Sequence, residues 1–283
     1  MRTVLIMLLA SVACAQAQLL RINGSFTAGQ ALQPVAAKAK QDLGIEVKFN
    51  TQAGSSAALR DIGIGAADIA MLVRTVTAEE RSAFPEKSFR SLEVGSQVLV
   101  PVVSRELWDT GIHAISREEF TSIYESRISS WKALGGVERE VKFFNPERGF
   151  GTWELFVTWL YGDVRKAPIG KKWEVIQTPK DLRDAVEFNS GAISVVPPKW
   201  IDGKHVMALD LKGEDGTIIP ATPATFHAGK WPIVRPIVIA MPDKPTGNVR
   251  KFLQFLVSEK GRAAMAESDF IPRVEAEAEL AER

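Results

Sequence analysis

The chain has 283 residues, 46% of them hydrophobic and 24% charged, which suits one or two globular domains with a real core and argues against intrinsic disorder. Its 35 basic and 34 acidic residues give a formal charge of +1, and no block of like charges stands out, so a nucleic-acid surface is not expected. The single cysteine, Cys14, leaves no framework for disulfides within the chain.

Met1-Arg2, the apolar run 4–13 and Ala15-Gln16-Ala17 have the basic start, short apolar run and small-residue site of a secretory signal peptide. Cleavage after Ala17 removes Arg2, no acid and Cys14, leaving 34 residues of each charge. The second reading is lipidation of Cys14, because Val12-Ala13-Cys14 partly resembles a lipoprotein signal, with Ser11 where leucine is usual. No later stretch approaches the roughly 20 apolar residues of a membrane helix. The expected location is therefore periplasmic or secreted.

Beyond the signal, short β-like runs alternate with helical patterns, the signature of α/β layers. A strand over 19–23 leads through Gly24-Ser25-Phe26-Thr27 to a helix with Leu32, Val35, Ala36, Ala39 and Leu43 at helical spacing. A strand over 45–50, a loop over 51–56, a short helix over 57–64 and a strand over 68–73 complete a βαβαβ run, which predicts parallel pairing. Residues 97–104 read as one long apolar strand. Ser116 and Glu119 open a helix over 116–126 as a capping box. A strand over 141–145 runs through 146–151 into a helix over 152–161, and Thr178-Pro179 with Asp181 start another. Strands follow over 192–196, 206–211 and 233–241, then one helix from 246 to 267. Residues 163–172 and 213–216 read as loops.

No linker rich in proline, glycine or serine divides the chain, which favours two intertwined α/β lobes joined by hinge strands. The expected division is a signal over 1–17, a first lobe over 18–100 plus 205–283, and a second over 101–204. Residues 97–104 and 192–196 are the candidate crossing strands, although either suits an ordinary core strand equally well.

Three segments share one order: strand, loop rich in small polar residues, helix start. They are 23–27, 52–56 and 145–152. A helix N-terminus presents unpaired N–H groups and the positive end of its dipole, and in open α/β sheets ligands sit at the carboxyl ends of strands. Together the loops offer Ser25, Thr27, Ser55, Ser56, Gly151 and Thr152 to an anion, with Arg74 and Arg148 as charge-assisted partners. Taken singly, each loop is more simply an N-cap, as Thr77 with Glu80 and Ser116 with Glu119 are, and a lone arginine at a strand end is more simply a surface group.

The runs Gln52-Ala53-Gly54-Ser55-Ser56, Ala67-Asp68-Ile69-Ala70-Met71, Ile128-Ser129-Ser130-Trp131, Gly149-Phe150-Gly151-Thr152 and Gly191-Ala192-Ile193, with Trp231-Pro232, Arg235-Pro236 and 251–261, resemble the phosphate-binding subunits of ABC importers. The matches fall in family order over nearly all of the mature chain. The resemblance implies the type II periplasmic-binding-protein fold, two lobes closing over a ligand, with Ser55 on a phosphate-contacting serine and Gly151-Thr152 at the end of the family's loop. It also marks departures. Pro146 stands where the family has its phosphate-binding arginine, Phe150 replaces the loop serine, and Leu72 and Val73 replace polar residues, one of which is often an acid.

The expected function is a solute receptor for phosphate or another small anion, serving an ABC permease in the membrane and monomeric itself, without cofactor or metal and without enzymatic activity. One alternative is a sensor or scaffold of the same fold with no transported ligand. Another is a secreted hydrolase pairing a loop serine with His227. His113, His205 and His227 form no metal-spaced pair, and no nucleophile elbow or Walker loop is present.

Overall fold

The computed structural model describes residues 19–83, 89–168 and 173–281. The expected signal segment with Cys14, and the end of the expected loop 163–172, lie outside the described residues.

The first third follows the expected order: β1 (Leu20–Gly24), α1 (Phe26–Leu43), β2 (Val47–Asn50), α2 (Gly54–Gly63) and β3 (Ile69–Leu72). β1 pairs in parallel with both β2 and β3. Then come α3 (Ala78–Ser82), β4 (Phe89–Val98), β5 (Val100–Ser104), α4 (Arg105–Trp108), β6 (Ala114–Ser116), α5 (Arg117–Tyr124), β7 (Lys142–Pro146), α6 (Gly151–Tyr161), β8 (Glu174–Ile176) and α7 (Pro179–Glu187). The chain continues with β9 (Ala192–Val196), β10 (Val206–Ala208), β11 (Asp210–Lys212), β12 (Ile218–Ile219), α8 (Pro223–His227), β13 (Val234–Pro242), α9 (Gly247–Val257), α10 (Glu259–Ala266), β14 (Ile271–Pro272) and α11 (Ala276–Ala281).

Among the described residues the strands form a six-stranded sheet in the order β14-β4-β13-β3-β1-β2, a five-stranded sheet in the order β10-β5-β9-β7-β8, and a small sheet β12-β11-β6. The first sheet makes lobe I. Its faces are covered by α1, α9 and α10, around Leu32, Val35, Phe252 and Leu253, and by α2, around Ala58, Leu59 and Leu72. Lobe II packs α5 and α6 on one face of its sheet, around Phe120, Phe143 and Phe156, and α7 on the other, around Phe144 and Leu182. Burying each such side chain stabilises the fold by about 1.5–3 kcal/mol, so each lobe has its own core. No helix among the described residues is long and apolar enough to cross a membrane.

The outgoing crossing falls within the expected residues 97–104, whereas the returning one does not fall at 192–196. Residues 97–104 are two strands, broken at Leu99 between the two sheets. Leu99 N–H donates to Ile233 O at 3.0 Å, and Leu99 O accepts from Trp231 Nε1 at 2.8 Å. The outgoing and returning chains are therefore clasped side by side at Leu99 and Ile233, with Trp231 only 1% exposed beneath them. Residues 192–196, the other crossing candidate, form β9 in the middle of the five-stranded sheet, between β5 and β7. The return also comes later than residue 205: β10 pairs with β5 and β11 with β6, and the chain rejoins lobe I only at β13. The expected strand 206–211 splits because Leu209 N–H turns to Pro101 O. The single C-terminal helix expected over 246–267 is two, since Ser258 adopts extended backbone and caps α10 through the Gly261 N–H.

Candidate functional site

The three small-residue loops meet where the two lobes face each other. β1 ends in Gly24, whose φ of +153° favours glycine and where a Cβ would collide with Met71 O. This close approach brings Ser25 against the end of β3, its N–H donating to Met71 O at 3.0 Å. The second loop joins the same strand end: Ser55 Oγ accepts from Val73 N–H at 3.4 Å. Thr27, the second residue of α1, is 3% exposed.

The third loop arrives from lobe II. Gly151 begins α6, and a Cβ there would stand 2.6 Å from Thr27 Oγ1 and 2.5 Å from Arg235 Nη2. Only a residue without a side chain lets α6 come this close to α1. Thr152 sits half-buried in the first turn of the same helix.

Arg235, on β13, ties the cluster together. Its Nε donates to Gln97 Oε1 of the neighbouring strand at 2.8 Å, and its Nη2 donates to Thr27 Oγ1 at 2.8 Å and to Gly151 O at 3.0 Å. Its Nη1 reaches Glu154 Oε2 on α6 at 3.4 Å. Its side chain is only 14% exposed. Burial pulls the guanidinium pKa down while Glu154 opposes that shift, and the group stays charged because an arginine starts so high. One desolvated cation thus spans lobe I (Thr27, Gln97) and lobe II (Gly151, Glu154). Sequence pattern marks Arg235 only as a family landmark and does not place it among the ligand-facing groups.

Three helix starts share a property. At α1, α2 and α6 the N-cap residues Ser25, Ala53 and Phe150 make no side-chain cap hydrogen bond to the first-turn N–H groups. Thr77, Ser104, Ser116, Thr178, Thr222 and Ser258 do cap their helices, and both expected capping boxes are present. α9, away from the cluster, is uncapped as well, so the property alone does not define a site. At α1 and α6 it coincides with the contacts of Thr27 and Gly151 to Arg235. Flanking Pro146, the buried acceptors Asn145 Oδ1 and Glu147 Oε2 have no hydrogen-bond partner among the described residues.

The other predicted residues are placed differently. Arg74 is engaged within lobe I, paired to Glu80 at 2.6 Å and donating to Ser56 Oγ at 2.8 Å and Thr75 O at 3.0 Å. Glu80 is held near 2, first by that hydrogen-bonded guanidinium. Arg74 and Ser56 therefore act as a strap between the second loop and α3. Arg148 is exposed and stacks over Trp153 at 5.2 Å. Phe26 and Phe150, one from each lobe, are 47% and 39% exposed beside the cluster. Two open hollows, of about 660 and 610 Å3, lie elsewhere: behind the hinge near His227 and Pro272, and at the far end of lobe I near Arg90 and Arg250. Neither is lined by Thr27, Gly151 or Arg235.

The histidines are held by local contacts: His113 against Trp108 O, His205 beside Asp202, and His227 with Nδ1 2.7 Å from Pro223 O. No group of three or more metal-ligating side chains occurs among the described residues.

A family model described as a PBP superfamily domain matches residues 10–260. The phosphate-binding protein PstS of Bacillus subtilis is 25% identical over 255 residues, covering 89% of this chain and 80% of that protein. The corresponding protein of Borreliella burgdorferi is 20% identical over 260 residues, covering 90% of each. Among solved structures, a possible phosphate binding protein from Planctomyces limnophilus superposes with a TM-score of 0.79 at 18% identity, over 94% of this chain and 97% of that one. An ABC-type phosphate transport receptor from Vibrio cholerae gives 0.66 at 21% identity, over 89% and 99%.

Proposed function

The chain belongs to the PBP superfamily, and from that premise we propose that it is an extracytoplasmic receptor that captures phosphate, or a close relative of phosphate, between its lobes and delivers it to an ABC permease. The observation that carries this reading is the meeting of Thr27 and Gly151, from opposite lobes, on the buried Arg235. Three helix starts without side-chain caps and one desolvated cation make a site for an oxyanion, held by hydrogen bonds alone. The names borne by the relatives at 25% and 20% identity point to phosphate. They are names of binding proteins, which supports capture without turnover.

Binding follows from the two-lobe geometry. An open form admits the anion, and contacts from both lobes stabilise the closed form by their difference in affinity for the two states. The clasp at Leu99 and Ile233 keeps the crossing chains together while the lobes move. The exposed Phe26 and Phe150 favour a second reading, in which the guest carries an organic group outside the oxyanion.

Thermal unfolding with phosphate, sulfate, molybdate, phenyl phosphate and small carboxylates tests both readings. A specific ligand at a hundred times its Kd stabilises by about 2.7 kcal/mol, a rise of about 5–10 °C for a protein of this size. A flat response to the whole panel removes the receptor and leaves a scaffold of the same fold. A response to phenyl phosphate alone selects the organic guest.

A further inference from the structure

Arg235 is the buried cation where the lobes meet, but its N–H groups are not equally committed. Nε and Nη2 are held at 2.8–3.0 Å by Gln97, Thr27 and Gly151. Nη1 makes only a long contact, 3.4 Å, to Glu154, whose side chain is 45% exposed. Of the guanidinium's five donors, the two on Nη1 are therefore the ones a guest can take with least loss.

We propose that Arg235 is the charge-bearing specificity residue of the anion site and that Glu154 is its built-in competitor, a carboxylate holding Nη1 in the free protein and displaced from it by the incoming oxyanion. Glu154 lies in the first turn of α6, where the N–H groups without a side-chain cap begin. The same acid thus neutralises Arg235 and the positive helix end, and both effects weaken the field felt by an anion. Because Arg235 stands on a lobe I strand and Glu154 rides on lobe II, their contact joins the two lobes. Exchange of carboxylate for ligand then keeps the cation paired throughout, which avoids a buried charge without a partner.

This inference rests on the anion-receptor reading, and the experiment separates the two. Phosphate binding is measured by calorimetry for the full-length protein and for Glu154→Gln, Arg235→Gln and the double variant, with unliganded thermal unfolding as the check on folding. Glu154→Gln is expected to tighten phosphate by about three- to tenfold, since glutamine keeps the shape and removes the competing charge. Arg235→Gln is expected to weaken it by tenfold or more. In the Arg235→Gln background, Glu154→Gln is expected to lose most of its effect, because no guanidinium remains to compete for. A purely structural Glu154 would show weaker or unchanged affinity on substitution, and that result overturns the proposal while wild-type phosphate binding leaves the receptor standing. Equal tightening in both backgrounds overturns it too, reducing Glu154 to general repulsion. Absence of phosphate binding in both wild type and Glu154→Gln overturns the inference and the phosphate reading together.

Discussion

Gly151→Ala adds one methyl group at the closest point between the lobes. Its Cβ would lie 2.5 Å from Arg235 Nη2 and 2.6 Å from Thr27 Oγ1, well inside contact distance, so the lobes must part or the guanidinium must move. The backbone itself accepts alanine, because Gly151 is not among the positive-φ glycines and the substitution removes about 0.4–1 kcal/mol of unfolded-chain freedom. Each lobe keeps its own core, and unliganded stability should change by less than about 1 kcal/mol. Closure is different. It needs the Arg235 contacts to Gly151 O and Thr27 Oγ1, and hydrogen bonds to a charged group contribute about 1.5–3 kcal/mol each. Losing one of them weakens ligand binding by about ten- to a hundredfold at 1.4 kcal/mol per decade. Phosphate calorimetry beside unliganded thermal unfolding reads both quantities. Affinity within threefold of wild type would show that the lobes do not close around this contact, and the site would have to be placed elsewhere.

Ser55→Ala removes the acceptor of the Val73 N–H and should weaken phosphate by about three- to tenfold, as a lost neutral hydrogen bond implies; unchanged affinity in calorimetry would take the second loop out of the site. Arg74→Ala cuts the strap to Ser56 and Glu80 and should cost about 0.2–1 kcal/mol, given the partial exposure of the pair, with less effect on affinity than Arg235→Gln. The Glu80 carboxyl is lowered from 4.5 to about 2 in the fold, so the pair's contribution is whole above pH 4.5 and fades as pH falls through 2. The difference in unfolding free energy between wild type and Arg74→Ala should accordingly shrink below pH 4.5, and a difference that grows with acid would contradict the pairing. Trp231→Phe leaves Leu99 O without its donor at the buried crossing and should destabilise by about 1–3 kcal/mol in denaturant unfolding; a neutral result would mean the clasp does not hold the crossing.

Much of this architecture is legible in local pattern. The βαβαβ start, the apolar face of α1 and both capping boxes follow from residues a few positions apart. So does the strand–loop–helix order of the three site loops, although the arrival of the third from the other sheet depends on the distant Arg235. What local pattern hides is set by distant partners. The break at Leu99 depends on Trp231 and Ile233, more than 130 positions away, so an apolar run reads as one strand. β10 and β11 look continuous because the turn at Leu209 is fixed by Pro101. Arg74 and Arg148 attract the ligand role because they follow a strand and sit in a loop, yet Arg74 is spent on Glu80 and Arg148 lies on Trp153. Arg235 carries a signal that composition cannot weigh: a charged residue in a strand otherwise apolar over 233–241, which must find buried partners or a ligand.

A crystal structure of the phosphate-saturated protein tests the central claim most directly. It should show one oxyanion bonded to Arg235 and to first-turn N–H groups of α1, α2 and α6, with Glu154 turned away from Nη1. An anion bound anywhere else, with the Arg235–Glu154 contact intact, would contradict it.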